Sequence, residues 1–298
     1  MSPAHPIFQG SLVALPTPFS GERLDLESML HLIEHQVQAR SDGLVIAGST
    51  GEGVTLTQRE RLTLFEYCAG VAGGRIAVIA GIGGSATREA LELAVGAERA
   101  GVQALLVTTP AYNRPGQLGL ERHFEAVAKA TDLPIALYNI PDRTGVDLLP
   151  ESVGRLVERC PNIVAIKEAS NSLERLKELI ELEQLAVLTG DDHLILEALD
   201  LGVAGIVGVV ANLAPDRVLE ILRKHASAPA EAKAICNSLR PLIEALHCES
   251  NPGPLKHALE CMGWMQADLR LPLVPVSRTS AKLIHGALVS ADLLEHLG

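Results

Sequence analysis

The strongest constraint on the fold is a series of short apolar segments that recur at fairly even spacing along the chain. Between most of them lie stretches with the helical period of 3.6 residues, as in residues 28–39 and 88–100. Alternation of buried strands and amphipathic helices predicts a parallel sheet covered by helices. The predicted strands are residues 11–15, 43–47, 76–80, 103–108, 134–138, 163–167, 185–189 and 204–210.

Eight strand–helix alternations favour a (β/α)₈ TIM barrel, an α/β fold of typically ~250 residues. A doubly wound sheet is the alternative, but it usually has fewer strands and a recognisable nucleotide-binding turn. Beyond Pro229 the strand pattern stops, and residues 231–246, 254–262 and 280–297 have helical patterns. We therefore predict a catalytic barrel over residues 1–229 and a C-terminal helical domain over residues 230–298.

Short residue patterns predict where two of the helices begin. Thr57 and Glu60 have the spacing of a capping box, in which a threonine side chain and a glutamate three residues later satisfy each other's backbone N–H groups. Thr87-Arg88-Glu89 also has the composition of a helix start, at the second helical stretch.

The charge of the chain limits its partners. A formal net charge of −11 argues against binding to nucleic acid or to an anionic membrane surface. No apolar run approaches the ~20 residues that a membrane-spanning helix needs. The first residues lack the basic and then apolar pattern of a signal peptide, so a cytoplasmic location is expected.

Cysteine and histidine show no spacing typical of a metal or redox site. The five cysteines are scattered and form no C-x-x-C pair, and the ten histidines form no H-E-x-x-H motif. Reduced, mostly buried thiols and no metal dependence are therefore expected.

One glycine-rich turn imitates a dinucleotide-binding fingerprint. Gly81-Ile82-Gly83-Gly84-Ser85-Ala86 follows a predicted strand and precedes a helix. The fingerprint also requires an acidic residue about 20 positions later, at the end of the next strand. That strand ends in Val107-Thr108-Thr109 without a carboxylate, so a tight turn is the better interpretation.

Lys167 is the strongest candidate for a catalytic residue. It ends the apolar, β-branched run that begins at Ile163, which is typical of a strand buried on both faces. At the mouth of a barrel its amine would point into a dry cavity, where burial favours the neutral amine over the ammonium. A neutral lysine amine can attack a keto acid and form a Schiff base. The alternative is a surface lysine that only ends a strand.

Other polar residues fall at the same predicted edge, because active sites of such barrels lie at the C-terminal strand ends. They are Thr17, the turn Ser49-Thr50-Gly51-Glu52, Tyr112, Tyr138 and Lys167. Phenol and hydroxyl groups can move protons during imine formation. A turn with hydroxyl and backbone N–H groups is suited to a carboxylate. Each feature alone is weak evidence for an active site, since such a turn or tyrosine more often has a structural role.

Six segments together resemble the pyruvate-dependent class I aldolase superfamily, which includes the N-acetylneuraminate lyases, and most closely its dihydrodipicolinate synthase family. The resemblance extends from about Gly10 to the last helices. The segments are Gly48-Ser49-Thr50-Gly51-Glu52, Thr109-Pro110-Ala111-Tyr112-Asn113-Arg114-Pro115, Tyr138-Asn139-Ile140-Pro141-Asp142-Arg143-Thr144-Gly145, Ile166-Lys167-Glu168-Ala169, Gly190-Asp191-Asp192 and Asn251-Pro252-Gly253-Pro254.

The resemblance implies roles for individual residues. Lys167 would form the imine with pyruvate, with Tyr138 as the proton shuttle beside it. Ser49 would link Tyr138 to Tyr112 in a hydroxyl relay. In the family the tyrosine that matches Tyr112 reaches into the neighbouring subunit's site, which implies a dimer, typically within a homotetramer.

The substrate-binding residues implied by the resemblance are Thr50, Arg143 and Val207. Thr50 would help to bind the pyruvate carboxylate, and Arg143 would receive the carboxylate of aspartate semialdehyde, a task that suits a planar and permanently charged guanidinium. The alternative for Arg143 is an ordinary surface ion pair. No cofactor is implied, since the intermediate is a covalent imine on Lys167.

The chain departs from the family pattern at several positions. Ser49 stands where the synthases usually have threonine, which removes the stiffness of a β-branched side chain and also resembles the lyases. Ala111 replaces an aromatic residue of the lysine effector pocket. Gln58 and Arg61 stand where histidines are common, although Ser85 and Glu89 fit that pocket. Inhibition by lysine is therefore left open.

Three functions are compatible with these residues. The leading one is a cytoplasmic synthase that condenses pyruvate with L-aspartate 4-semialdehyde to 4-hydroxy-tetrahydrodipicolinate, in lysine and diaminopimelate biosynthesis. The second is a related aldolase that cleaves N-acetylneuraminate or a 2-keto-3-deoxy sugar acid. The third is a barrel that binds a keto acid without turnover, which would need neither the amine nor the phenols.

Overall fold

The fold is a closed barrel of eight parallel strands surrounded by helices. The computed structural model describes residues 5–294. The strands are β1 (Gly10–Ala14), β2 (Phe19–Ser20), β3 (Arg23–Leu24), β4 (Gly43–Ile46), β5 (Ala77–Ile82), β6 (Ala104–Thr108), β7 (Ile135–Asn139), β8 (Ile163–Glu168), β9 (Ala186–Thr189) and β10 (Gly205–Gly208). Around the barrel the order is β1, β10, β9, β8, β7, β6, β5 and β4.

The helices of the described residues lie between the barrel strands and beyond the last of them. They are α1 (Leu26–Ala39), α2 (Gln58–Ala72), α3 (Thr87–Arg99), α4 (Gln117–Ala128), α5 (Pro141–Thr144), α6 (Pro150–Arg159), α7 (Leu173–Ile180), α8 (Ile195–Leu201), α9 (Pro215–Lys224), α10 (Pro229–Leu246), α11 (Gly253–Cys261) and α12 (Arg278–Ser290). The predicted capping box at the start of α2 is present, with Thr57 and Glu60 bonded to each other's backbone N–H groups.

The predicted (β/α)₈ barrel is confirmed, and each predicted strand overlaps one barrel strand. The antiparallel pair β2–β3 was not predicted, because two residues per strand are too few to show a period. The prediction for residues 204–210 was too long. β10 ends at Gly208 because the Asp192 carboxylate accepts hydrogen bonds from the backbone N–H groups of Val209 and Val210.

Two apolar clusters hold the barrel together. One fills the interior and includes several small side chains, such as Ala104, Ala136, Ala165 and Ala186. The other lies between the strands and the helices and extends into α10, α11 and α12. Because the strands are buried on both faces, their side chains alternate between these clusters.

The C-terminal helices pack in the same outer cluster as the barrel helices, through residues such as Leu242 and Leu288. The predicted division at residue 229 stays a prediction. The last helix was predicted too long: α12 ends at Ser290, where Asp292 takes a left-handed backbone (φ 55°) and the Leu293 N–H bonds back to the Leu288 carbonyl. Residues 295–297 of that prediction lie outside the described residues. None of the helices in residues 5–294 combines the length and hydrophobicity that a bilayer crossing requires.

Candidate active site

Tyr138 and Lys167 lie side by side at the C-terminal ends of β7 and β8. The two residues are direct partners in the strand register, and Lys167 Nζ is 4.3 Å from the centroid of the Tyr138 ring. Both side chains face the barrel interior, since Ala136 and Ala165 lie two residues earlier on the same faces. Lys167 is 7% exposed and Tyr138 is 4% exposed, so the amine is buried as the apolar run predicts.

Gly190, just beyond β9, makes room for the lysine. A Cβ atom at this position would lie 2.7 Å from Lys167 Cε and 2.7 Å from Ala169 Cβ, which is closer than side chains tolerate. A glycine is therefore required by the close approach and not by a special backbone angle.

Three carboxyl groups, two of them buried and one partly buried, lie at this end of the barrel. Burial raises the pKa of Asp191 and of Asp192, and the positive charge of Lys167 is among the groups that oppose both shifts. Burial also raises the pKa of Glu168, although its hydrogen bond from the Asn139 amide opposes the change. Asp191 and Asp192 therefore interact electrostatically with the amine of Lys167.

Ser49 and Thr50 lie in the loop between β4 and α2. The loop packs on β5, where a Cβ atom at Gly81 would lie 2.6 Å from the Gly48 nitrogen. The Thr17 hydroxyl donates a hydrogen bond of 2.6 Å to the Gly51 carbonyl and joins the loop to the segment after β1. Gly81 thus serves close packing of this turn, which agrees with the structural interpretation of the glycine-rich sequence.

Asn251 connects Thr50 to Arg143. Its side-chain amide nitrogen donates a hydrogen bond of 2.9 Å to the Thr50 hydroxyl, and its backbone carbonyl accepts one of 3.1 Å from Arg143 Nη2. The partners are 201 and 108 residues from Asn251 along the chain. The structure therefore brings two of the predicted substrate-binding residues together through a residue of the C-terminal tail, which is the part of the chain from residue 230 to residue 294.

A cavity of about 360 Å³ lies at the mouth of the barrel. Its wall includes Ser49, Thr108 and Arg143 from the barrel and Asn251 and Leu273 from the tail. Tyr138 and Lys167 do not line this cavity. Tyr138 and Val207 belong to the apolar cluster of the barrel interior, in which Val207 is buried and offers only apolar contact.

Tyr112 is placed apart from the other predicted residues. It has a left-handed backbone (φ 74°), and its side chain is 89% exposed. It lines a shallow groove together with Arg114, Asp142 and Arg143. Within residues 5–294 the hydroxyl groups of Ser49, Tyr112 and Tyr138 make no hydrogen bonds to one another, so the predicted relay is not joined within one chain.

Several residues that shape the site had no role predicted from the sequence. Asn251 and Glu52 lie in segments that resemble the family, but neither had a predicted function. Lys256 and Arg270 contact the same loop from the tail. No local pattern distinguishes them, because a lysine in a helix is normally a solvent-exposed residue.

No cluster of three or more metal-binding side chains occurs within residues 5–294. The site described above consists of an amine, a phenol, hydroxyl groups and a guanidinium. Such a set can form and protonate an imine and can bind carboxylates.

Comparisons with known proteins agree with one family. The model of the dihydrodipicolinate synthetase family matches residues 7–291. A 4-hydroxy-tetrahydrodipicolinate synthase of Oleidesulfovibrio alaskensis is 40% identical over 290 residues, which are 96% of this chain and 99% of the relative. The synthase of the same name from Methanocaldococcus jannaschii is 39% identical and covers 97% of this chain and all of its own length.

Solved structures give the same result. The crystal structure of dihydrodipicolinate synthase from Aquifex aeolicus has a TM-score of 0.94 and 39% identity, over 96% of this chain and 99% of that one. The synthase from Thermotoga maritima has a TM-score of 0.94 and 36% identity, over 97% of this chain and 100% of that one. The matches of sequence and of structure span nearly the whole chain, which therefore belongs to the dihydrodipicolinate synthetase family.

Proposed function

We propose that this protein is a 4-hydroxy-tetrahydrodipicolinate synthase, which condenses pyruvate with L-aspartate 4-semialdehyde in the lysine and diaminopimelate route. The observation that carries the proposal is the buried Tyr138–Lys167 pair at the C-terminal end of the barrel. The names of relatives that match over nearly full length support the synthase over a sugar-acid aldolase. Turnover distinguishes the proposal from a barrel that only binds a keto acid.

The chemistry begins at Lys167. The amine attacks the ketone of pyruvate once it has given up its proton, and loss of water leaves a protonated imine. The methyl group then loses a proton to give an enamine, whose carbon attacks the aldehyde. The amino group of the new chain displaces Lys167 from the imine carbon, which closes the ring and frees the enzyme. Tyr138 is the shuttle for protons on oxygen and nitrogen, because its ring lies against the amine.

The carboxylates are held at the mouth of the barrel. Ser49 and Thr50 bind the pyruvate carboxylate, and Arg143 binds that of the semialdehyde. Support comes from the cavity that Ser49 and Arg143 share and from the link through Asn251. Val207 contributes apolar contact beneath the substrate. A guanidinium suits the second carboxylate because it binds with two parallel hydrogen bonds and stays charged.

A second copy of the chain completes the site in this proposal. Tyr112 is 89% exposed at the mouth, and Val54 and Leu271 are exposed apolar residues at 84% and 79%. Burial of such side chains against a neighbour is favourable. We infer a dimer in which Tyr112 reaches the partner's site, within a homotetramer. Sedimentation of the wild-type chain and of Leu271→Lys tests this, and a monomer that is fully active would contradict it.

No cofactor takes part in the proposed reaction, since the carbonyl is activated by the covalent imine on Lys167. Full activity after dialysis against a chelator is the expected outcome. The cytoplasmic location stays a prediction.

Borohydride trapping tests the proposal directly. Reduction in the presence of pyruvate should add one reduced pyruvate to the intact mass, and Lys167→Ala should remain unmodified. Turnover of aspartate semialdehyde is then compared with cleavage of N-acetylneuraminate and of a 2-keto-3-deoxy sugar acid. An unmodified wild-type lysine would remove the enzymatic proposal, and faster turnover of the sugar acids would replace the synthase with the aldolase.

A further inference from the structure

The loop that carries Ser49 and Thr50 has an unusual backbone. Ala47 and Glu52 both take left-handed conformations, with φ of 53° and 52°. Residues other than glycine rarely adopt this region, and they remain there only where the surroundings hold them. The loop also folds closely on itself, since a Cβ atom at Gly53 would lie 2.1 Å from the Ala47 carbonyl oxygen. Its shape therefore depends on contacts from outside the loop.

The central contact is a fully buried ion pair between the loop and α11. Lys256 Nζ lies 2.5 Å from Glu52 Oε1, and both side chains are 0% exposed. The amine also donates to the Asp268 carbonyl at 2.7 Å, and Glu52 Oε2 accepts from the Arg270 backbone N–H at 3.1 Å. Charged side chains are almost never buried completely unless they are paired.

The surroundings of this pair are dry. Lys256 Nζ lies 4.2 Å from the centroid of the Phe19 ring. Burial lowers the pKa of Lys256, and the Glu52 carboxylate opposes that change. Removal of one partner would leave the other charge buried without compensation. Because a loop yields more easily than a barrel, the response expected is a movement of the loop.

Two further contacts from the tail hold the same loop. Asn251 donates to the Thr50 hydroxyl, and Arg270 Nη1 donates to the Thr55 carbonyl at 3.2 Å. The tail thus holds the loop at Thr50, Glu52 and Thr55. Lys256 contacts the middle of this segment and touches none of the side chains proposed to meet substrate.

We propose that Lys256 and Glu52 are positioning residues for the carboxylate of pyruvate. The pair holds the loop so that Ser49 and Thr50 present their hydroxyl groups to that carboxylate, while Lys167 is held separately by β8. This inference rests on the proposed function, because it assumes that pyruvate is the ligand of the loop. Its signature is a change in the pyruvate concentration needed for imine formation, without a matching change in the turnover of saturated enzyme.

The test uses Glu52→Gln, Lys256→Met and the double variant in the full-length chain. Borohydride trapping at graded pyruvate concentrations, read by intact mass, gives the half-saturating concentration. Each single variant should raise it at least ~10-fold, whereas kcat at saturating pyruvate should change less than ~3-fold. The double variant, which leaves no unpaired buried charge, should lie closer to the wild type than either single variant.

A matched control separates positioning from general loss of stability. Glu121 is a buried glutamate paired with Arg155 between α4 and α6, away from the loop. Glu121→Gln should lower the melting temperature but leave the half-saturating concentration unchanged. If the single variants do not fold, Glu52→Asp keeps the charge, shortens its reach and carries the same expectation.

The outcomes are distinct. An unchanged half-saturating concentration in folded variants would overturn the inference, as would an equal rise in the Glu121 control or strictly additive effects in the double variant. Absence of any adduct in the wild type would instead contradict the proposed function. The positioning role would be supported by a raised half-saturating concentration with little change in kcat in the single variants, together with a half-saturating concentration closer to the wild type in the double variant.

Discussion

The imine end and the carboxylate end of the site are positioned by different means. Tyr138 and Lys167 are neighbours in the register of two adjacent strands, and an apolar interior surrounds them. Thr50 and Arg143 are joined only through Asn251 of the tail, in a region supported by buried charges. The first arrangement follows from the barrel alone, whereas the second requires contacts between distant parts of the chain. Substitutions at the two ends should therefore change activity in different ways.

The largest effect is expected at the imine end, from Gly190→Ala. The added Cβ would lie 2.7 Å from Lys167 Cε, so the amine must move. A displacement of about 1 Å can cost ~100-fold in rate, and we expect a loss of at least that size in the rate of imine trapping. Gly154→Ala in α6 is the control, because its Cβ would meet only Leu182 at an ordinary 3.6 Å. An unchanged trapping rate would show that the interior tolerates more movement than its packing indicates.

At the carboxylate end, Arg143→Gln should separate the two substrates. Loss of a charge-assisted hydrogen bond should raise the KM for aspartate semialdehyde roughly 10- to 100-fold, while pyruvate trapping is unchanged. Arg114→Gln is the control, since Arg114 lies in the same groove but donates to the Gly145 carbonyl. An equal rise in the KM for both substrates would show that the two carboxylates do not have separate sites.

A smaller effect is expected on the free energy of unfolding, from the ion pair between Glu60 of α2 and Arg270 of the tail. The hydrogen bond from Arg270, with smaller contributions from the hydrogen bonds of Thr57, lowers the pKa of Glu60 to about 2 from 4.5. The lowered pKa means that this stabilisation is complete above pH 4.5 and is lost as the pH falls toward 2.

Glu60→Gln should cost about 2 kcal/mol of unfolding free energy at pH 7, since glutamine can still serve in the capping box. Urea unfolding at several pH values measures the difference, which should shrink below pH 4.5. A difference that does not depend on pH would contradict the role of the ion pair.

The smallest effect comes from a buried group without a charged partner. Burial lowers the pKa of His123 in α4 to about 4 from 6.5, and its ring meets the Thr87 hydroxyl at 3.0 Å. Between pH 4 and pH 6.5 the His123 ring binds a proton in the unfolded chain but not in the folded chain. Stability is therefore complete above pH 6.5 and falls as the pH drops toward 4.

Between pH 7 and pH 5 the wild type should lose about 1 to 2 kcal/mol more unfolding free energy than His123→Gln. A proton NMR titration should show no change of the His123 ring in this range. Titration near pH 6.5 would mean that water reaches the ring. The contrast is that burial keeps the His123 ring neutral, whereas Arg270 keeps Glu60 charged against the opposing effect of burial.

Prediction from residue pattern succeeded for local features. The eight barrel strands, the capping box of Thr57 and Glu60 and the buried position of Lys167 were all predicted. The predicted ends of β10 and α12 were wrong. At β10 the Asp192 carboxylate accepts hydrogen bonds from two backbone N–H groups that would otherwise continue the strand, and beyond α12 Asp292 has a left-handed backbone. Both errors arise from single polar contacts that carry no periodic signal.

The order of residues along the chain determines the barrel and places Lys167 and Tyr138 at its rim, since hydrophobic period and strand ends are local properties. Only the folded chain decides that Asn251 joins Thr50 to Arg143, that Lys256 is buried against Glu52 and that Tyr112 points outward. These contacts connect segments up to 204 residues apart, the separation of Glu52 and Lys256. Their energies depend on desolvation and on partners that no short window of sequence contains.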